Sequence, residues 1–126
     1  GSEGNTADFA PQDKQNYVSM MQEFRKQLDA QGKANGKYYS LSAAIPPDAD
    51  KLSAGYDLAA LAKVLDYFNL MAYDFHGNWE AEGPTNFHAN LYPDKEHASD
   101  YSVVDGVKAF EDGGVSASKV VVGLPY

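Results

Sequence analysis

The 126-residue chain has no cysteine, which excludes disulfides, thiol catalysis and thiolate metal sites. It has no cluster of Lys and Arg. Its 18 acidic residues outnumber 10 basic ones, for a net charge of −8. Neither nucleic acid nor an anionic membrane surface is therefore an expected partner. No apolar run approaches the ~20 residues that span a bilayer. The polar, acidic opening Gly1-Ser2-Glu3-Gly4 does not read as a signal peptide. There is no glycine-rich phosphate loop after a strand, no P-loop and no internal repeat. His76, His88 and His97 are spaced by 12 and 9 residues, which fits no common metal-ligand pattern. They read as solvated or hydrogen-bonded loop residues, His76 standing closest to the motif below. No metal and no cofactor is expected.

Hydrophobic residues make up 44% of the chain, enough for a packed core. After an irregular start at 1–11, Tyr17, Met20, Met21, Phe24 and Leu28 recur on one helical face, predicting a helix over about 12–30. The stretch 31–36, with Gly32 and Gly36, stops it. A strand over 38–45 ends at Pro46-Pro47. Asp57 opens a short helix carrying Leu58, Leu61, Val64 and Leu65, and Asp57 and Asp66 read as cap and surface residues. A strand follows over 68–73. Residues 75–100 form a long loop, and loops of this length are usually functional. A helix over 101–111, with Val103, Val104, Val107 and Phe110 inward, ends at Gly113-Gly114. A last strand covers 119–124.

Helices alternating with apolar strands imply a parallel sheet with right-handed crossovers. A doubly wound sheet would share that order but lacks its phosphate loop here. Three strands also make a poor finished domain, since a complete barrel of alternating strands and helices takes about 250 residues. The expected fold is α/β: a partial (β/α)8 barrel, residues 1–126 forming part of one barrel with raw parallel edges. Such edges leave backbone groups unpaired, so the isolated chain is expected to self-associate.

The most informative segment is Phe68-Asn69-Leu70-Met71-Ala72-Tyr73-Asp74-Phe75-His76-Gly77. An apolar run stops at Tyr-Asp, and Trp79 follows. A buried parallel strand reads this way where its end enters a binding site. In barrels those strand ends carry the chemistry.

Met71-Ala72-Tyr73-Asp74 resembles the Met-x-Tyr-Asp that ends the sixth strand in family 18 glycoside hydrolases, the chitinases and their relatives. The likeness runs along the chain. Tyr39-Ser40-Leu41-Ser42-Ala43-Ala44-Ile45-Pro46 is similar to the fifth strand. Gly55-Tyr56-Asp57 and Leu65-Asp66-Tyr67-Phe68-Asn69-Leu70-Met71 resemble the approach to the sixth. Lys119-Val120-Val121-Val122-Gly123-Leu124-Pro125-Tyr126 resembles the start of the seventh. The family's Asp-x-x-Asp-x-Asp-x-Glu, which carries its proton donor, is absent; Asp48-Ala49-Asp50 is the nearest run, with Ser53 where the Glu would fall.

The resemblance implies a retaining, substrate-assisted hydrolase of β-1,4-linked N-acetylglucosamine polymers, with chitin or chitooligosaccharides as partners. In that chemistry the sugar's 2-acetamido oxygen attacks the anomeric carbon while a glutamic acid protonates the leaving oxygen. Tyr73 would donate a hydrogen bond to the acetamido oxygen, and Asp74 would bind the sugar beside it. Met71 would floor the acetamido methyl, or simply pack in the core. Trp79 would stack on a sugar ring, or anchor its loop. Ala44, near the end of its strand, could leave room for sugar or serve tight packing. His76 would orient neighbours. Secretion is implied by the family's substrates. A non-catalytic chitin-binding relative, or an endo-N-acetylglucosaminidase, would show the same residues.

Overall fold

The computed structural model describes residues 7–94, 96 and 101–126. The first helix, α1 (Asp13–Asn35), starts where the Asp13 carboxylate accepts from the Ala10 N–H at 3.0 Å. It runs beyond the expected stop near 30. Gly32 keeps the helical ladder, and the chain turns only at Gly36, which takes the left-handed conformation at φ 70°. The inward stripe is also rotated from the expected one: Val18 and Met21 are buried, whereas Met20 and Phe24 are about half exposed.

Strand β1 (Ser42–Ile45) is shorter than the 38–45 expected. Residues 38–41 are held by side chains instead of a ladder. Leu41 exchanges two bonds with Asp66: its N–H donates to Oδ2 at 2.7 Å and its carbonyl accepts from the Asp66 N–H at 2.8 Å. The Tyr38 hydroxyl also donates to Asp66. Arg25 reaches from α1 to Asp66 at 3.2 Å and to the Tyr39 carbonyl at 2.9 Å. Asp66 is thus the hub that pins α1 and the approach to β1 together, rather than the cap or surface residue expected.

After Pro46-Pro47 comes an unanticipated helix, α2 (Ala49–Gly55). The Asp48 carboxylate caps it, accepting from the Asp50 and Lys51 N–H groups. Asp57 caps α3 (Leu58–Leu61) through the Ala60 N–H, the role its position predicts. Strand β2 (Tyr67–Leu70) then pairs in parallel with β1 and with β3 (Val120–Val122), in the order β1-β2-β3. The strand expected over 68–73 leaves the regular ladder after Leu70. The last strand is three residues long, because a 3-10 turn occupies Ala117–Lys119.

Between β2 and β3 lies α4 (Val103–Asp112), capped by buried Ser102, whose hydroxyl accepts from the Asp105 N–H. Phe110 reaches the sheet and meets Phe68 edge to face at 5.5 Å. Val104, expected inward, is 40% exposed, because Gly106 and Phe110 define the buried face. The helices cover one sheet face, burying Ala43, Ile45, Phe68 and Leu70. The opposite face, where Ala44 aligns with Asn69 and Asn69 with Val121, has no helix on it among the described residues.

The Asp66 cluster makes a testable contribution to stability. Burial alone would raise its pKa, but the Tyr38 hydroxyl, the Leu41 N–H and the Arg25 charge together hold it below the usual carboxylate range. A carboxylate depressed in the folded state stabilises fully above its unfolded pKa near ~4, and that support fades as pH falls through the folded value. Asp66→Asn is therefore expected to cost about 1–3 kcal/mol at neutral pH, with the difference shrinking towards pH 3. Urea unfolding at several pH values checks this; a deficit independent of pH would refute the charge's part in it.

Candidate functional site

Beyond Leu70 the chain leaves the sheet in a fixed path. The Met71 N–H still donates to the Ile45 carbonyl at 3.0 Å, so β2 stays in register with β1 for one more residue. Ala72 is fully buried and its N–H turns back to the Leu70 carbonyl. Asp74 then adopts φ 57°, a left-handed conformation uncommon outside glycine. Backbone strain of this kind clusters at functional sites.

Gly123 positions Tyr73. A Cβ there would lie 2.8 Å from Tyr73 Cε1 and 2.9 Å from the Leu70 carbonyl oxygen. No side chain fits, so the Tyr73 ring lies directly over the backbone that follows β3. The Gly123 N–H in turn donates to Leu70 O at 2.8 Å, extending the sheet beneath the ring.

Asp74 is paired across the loop with His88. Nε2 of His88 lies 2.5 Å from Asp74 Oδ1 and 3.2 Å from the Asp74 nitrogen. The Asp74 N–H points its donor at this ring nitrogen, so both contacts meet at one atom. The Phe75 N–H donates to the His88 carbonyl at 3.0 Å, closing residues 75–88 at their base. Farther along, His76 Nδ1 stands 3.0 Å from both Glu80 oxygens, and Glu80 also accepts from the Gly77 N–H. The Trp79 ring lies over Gly77, where a Cβ would come within 2.4 Å of Cζ3. Trp79 is nevertheless 60% exposed, so it both anchors the loop and offers an open face.

A depression of about 460 Å³ opens at the carboxyl end of the strands. Met71, Tyr73, Asp74 and Trp79 line it together. Ala44 and His76 do not. Ala44 lies on the uncovered sheet face, level with Asn69 rather than with the strand end. His76 is committed to Glu80, and it is Glu80 that borders the depression.

Asp48, Lys51 and Tyr101 also line the depression, and no local pattern marks them as site residues. Asp48 lies 53 positions from Tyr101, whose hydroxyl donates to Asp48 Oδ2 at 3.0 Å. Burial pushes the Asp48 carboxyl up, but bonds from the Lys51 N–H, the Tyr101 hydroxyl and the Asp50 N–H, with the Lys51 charge, hold it below its ordinary value. It is an ionised acceptor at neutral pH, used for capping. A larger hollow of about 630 Å³ lies among the helices, lined by residues such as Lys14, Ser53 and Asp57. It collects none of the strand-end residues, and no chemistry converges there. Among the described residues no three His, Cys, Asp or Glu side chains cluster as metal ligands would. His97 lies outside the described residues. No helix among the described residues is long and apolar enough to cross a membrane.

The arrangement offers a phenol donor held by backbone contact, a carboxylate oriented by a histidine, a thioether and an open indole. Such a set has the chemistry to bind a neutral ligand with hydroxyl, amide and apolar C–H surfaces. Comparison with known proteins identifies a family. The family described as glycosyl hydrolases family 18 matches residues 2–126. Chitinase 1 of Aphanocladium album is 41% identical over 115 residues, covering 88% of this chain and 26% of that protein. Chitinase A1 of Niallia circulans is 35% identical over the whole chain, which spans 18% of its length. The solved class V chitinase of Nicotiana tobaccum, a mutant in complex with NAG4, is 31% identical with a TM-score of 0.82. That match covers 94% of this chain and 33% of the other. The chain thus spans 18% and 26% of the two curated relatives' length.

Proposed function

The chain belongs to glycosyl hydrolases family 18, and from that premise we propose that it forms one wall of a chitin-cleaving site. Its three parallel strands and their helices are a part of a (β/α)8 barrel. The whole protein, in this reading, is a secreted hydrolase of β-1,4-linked N-acetylglucosamine polymers. One observation carries the proposal: Met71, Tyr73, Asp74 and Trp79 converge on a single depression at the carboxyl ends of the strands.

The substrate-assisted route assigns each a part. The Tyr73 hydroxyl donates to the 2-acetamido oxygen and holds it in line with the anomeric carbon. That oxygen forms the new bond to the carbon as the glycosidic bond breaks, giving an oxazolinium ion that water later opens. Asp74 gives one oxygen to His88 and has the other for the sugar. Met71 floors the acetamido methyl, and Trp79 stacks on a neighbouring ring. The acid that protonates the leaving oxygen is not among these residues, since no Asp-x-Asp-x-Glu occurs in the 126. It would come from another strand of the barrel.

The test compares the full-length protein with residues 1–126 alone on a fluorogenic chitotrioside. Turnover is expected from the full-length protein only. Loss of a member of a catalytic set commonly costs several orders of magnitude. The bare sheet face and open strand edges also support self-association of the isolated segment, read as elution ahead of a monomer. Genuine turnover by the isolated segment would overturn the assignment of the acid elsewhere. Binding without turnover by the full-length protein would favour a lectin-like relative.

A further inference from the structure

The depression is lined by a side chain that the acetamido chemistry does not use. Tyr101, just before α4, borders the same depression as Tyr73 and Trp79. Its ring leans at 46° against buried Phe75, 6.2 Å between centroids, and Phe75 directly follows Asp74. Its hydroxyl is tied to Asp48 Oδ2 at 3.0 Å, and Asp48 is itself only 9% exposed and fixed by two backbone bonds. The ring is therefore held at its tip and along one side. It is still 40% exposed.

Resting on the sugar-site reading above, we propose that Tyr101 is a second sugar-contacting ring of this depression, held in place by Asp48. The ligand class is a neutral pyranose, one unit along from the sugar held by Tyr73. An immobilised aromatic ring presents an apolar face to sugar C–H groups with little side-chain entropy left to lose. The hydroxyl adds direction. Burial, then the Asp48 bond and charge, raise the Tyr101 pKa, so the phenol stays protonated with its O–H donated to Asp48. What remains at the oxygen is acceptor capacity, suited to a sugar O–H donor. A group that can only accept, beside a carboxylate that can only accept, selects for hydroxyl-rich uncharged ligands.

The test measures penta-N-acetylchitopentaose binding to the full-length protein by calorimetry, with Tyr101→Phe, Tyr101→Ala and Tyr73→Phe, alongside thermal midpoints and steady-state kinetics. Tyr101→Phe keeps the ring but frees it from Asp48, and is expected to raise Kd about three- to tenfold, the worth of one hydrogen bond. Tyr101→Ala is expected to raise it further, the loss falling mainly on KM rather than kcat. A lowered midpoint with unchanged Kd and KM in both Tyr101 variants would make the residue structural and overturn the inference. If Tyr73→Phe still lowers kcat in that case, the sugar-site reading survives alone. If none of the three variants alters binding or turnover, or the wild type does not bind, that reading fails too and this inference with it. Should Tyr101→Ala not fold, Tyr101→Phe decides.

Discussion

Tyr73→Phe is expected to lower kcat on chitin oligosaccharides by about a hundred- to a thousandfold in the full-length protein, the usual cost of removing one preorganised donor at a developing charge. The substitution is clean. The phenylalanine ring fits the same place over Gly123, where backbone contact fixes the aromatic plane. Only the hydroxyl is lost. In the proposed route that hydroxyl holds the acetamido oxygen in attack geometry, and its bond strengthens as charge moves onto the amide. The loss should therefore appear in kcat as well as kcat/KM, with a far smaller change in substrate affinity. A purely structural tyrosine would give the opposite pattern, with kcat intact and stability reduced. Unchanged kcat in a well-folded variant would remove Tyr73 from the reaction.

Phe68→Ala is expected to have the largest effect on folding, a loss of about 3–5 kcal/mol. Phe68 is fully buried at the middle strand, paired in register with Ala43 on one side and Val120 on the other. Its ring also receives Phe110 from α4 edge to face, a geometry worth about 0.5–1.5 kcal/mol beyond burial. Truncation removes the ring by which the middle strand meets Phe110 of that helix. Against a typical total of about 5–15 kcal/mol, most of the margin would go. The midpoint of urea unfolding, followed by far-ultraviolet circular dichroism, measures it. A change below about 1 kcal/mol would mean that the sheet does not depend on this contact.

What the sequence could and could not reveal follows from the range of the interactions involved. The parallel order was legible because each strand is a local apolar run set between helical patterns. Asp57 as a cap and the end of α4 at Gly113 were legible for the same reason, since caps act within four residues. Helix α2 was not, because seven residues after a Pro-Pro pair carry too little periodicity to register. The late start of β1 and the true role of Asp66 depend on a contact 25 positions apart, which no local pattern encodes. The candidate site divides along the same line. Met71, Tyr73, Asp74 and Trp79 fall within nine consecutive residues, so one motif placed them together. His88 against Asp74, and Tyr101 against Asp48, are made by the folded chain, 14 and 53 positions apart. Ala44 was assigned by strand position alone, and register put it below the depression.

Asp66 stands just before the first residue of strand β2, and Tyr73 lies three residues past its last. The five steps from Asp66 to Met71 span roughly 16 Å at about 3.3 Å per residue. Asp66 bonds Tyr38, Leu41 and Arg25, whereas Asp74 bonds His88. The strand therefore acts as a spacer between two separate sets of partners. Heat and acid tolerance can accordingly be adjusted by selection or by design at the Asp66 end, while the hydrogen bonds at the Asp74 end stay in place.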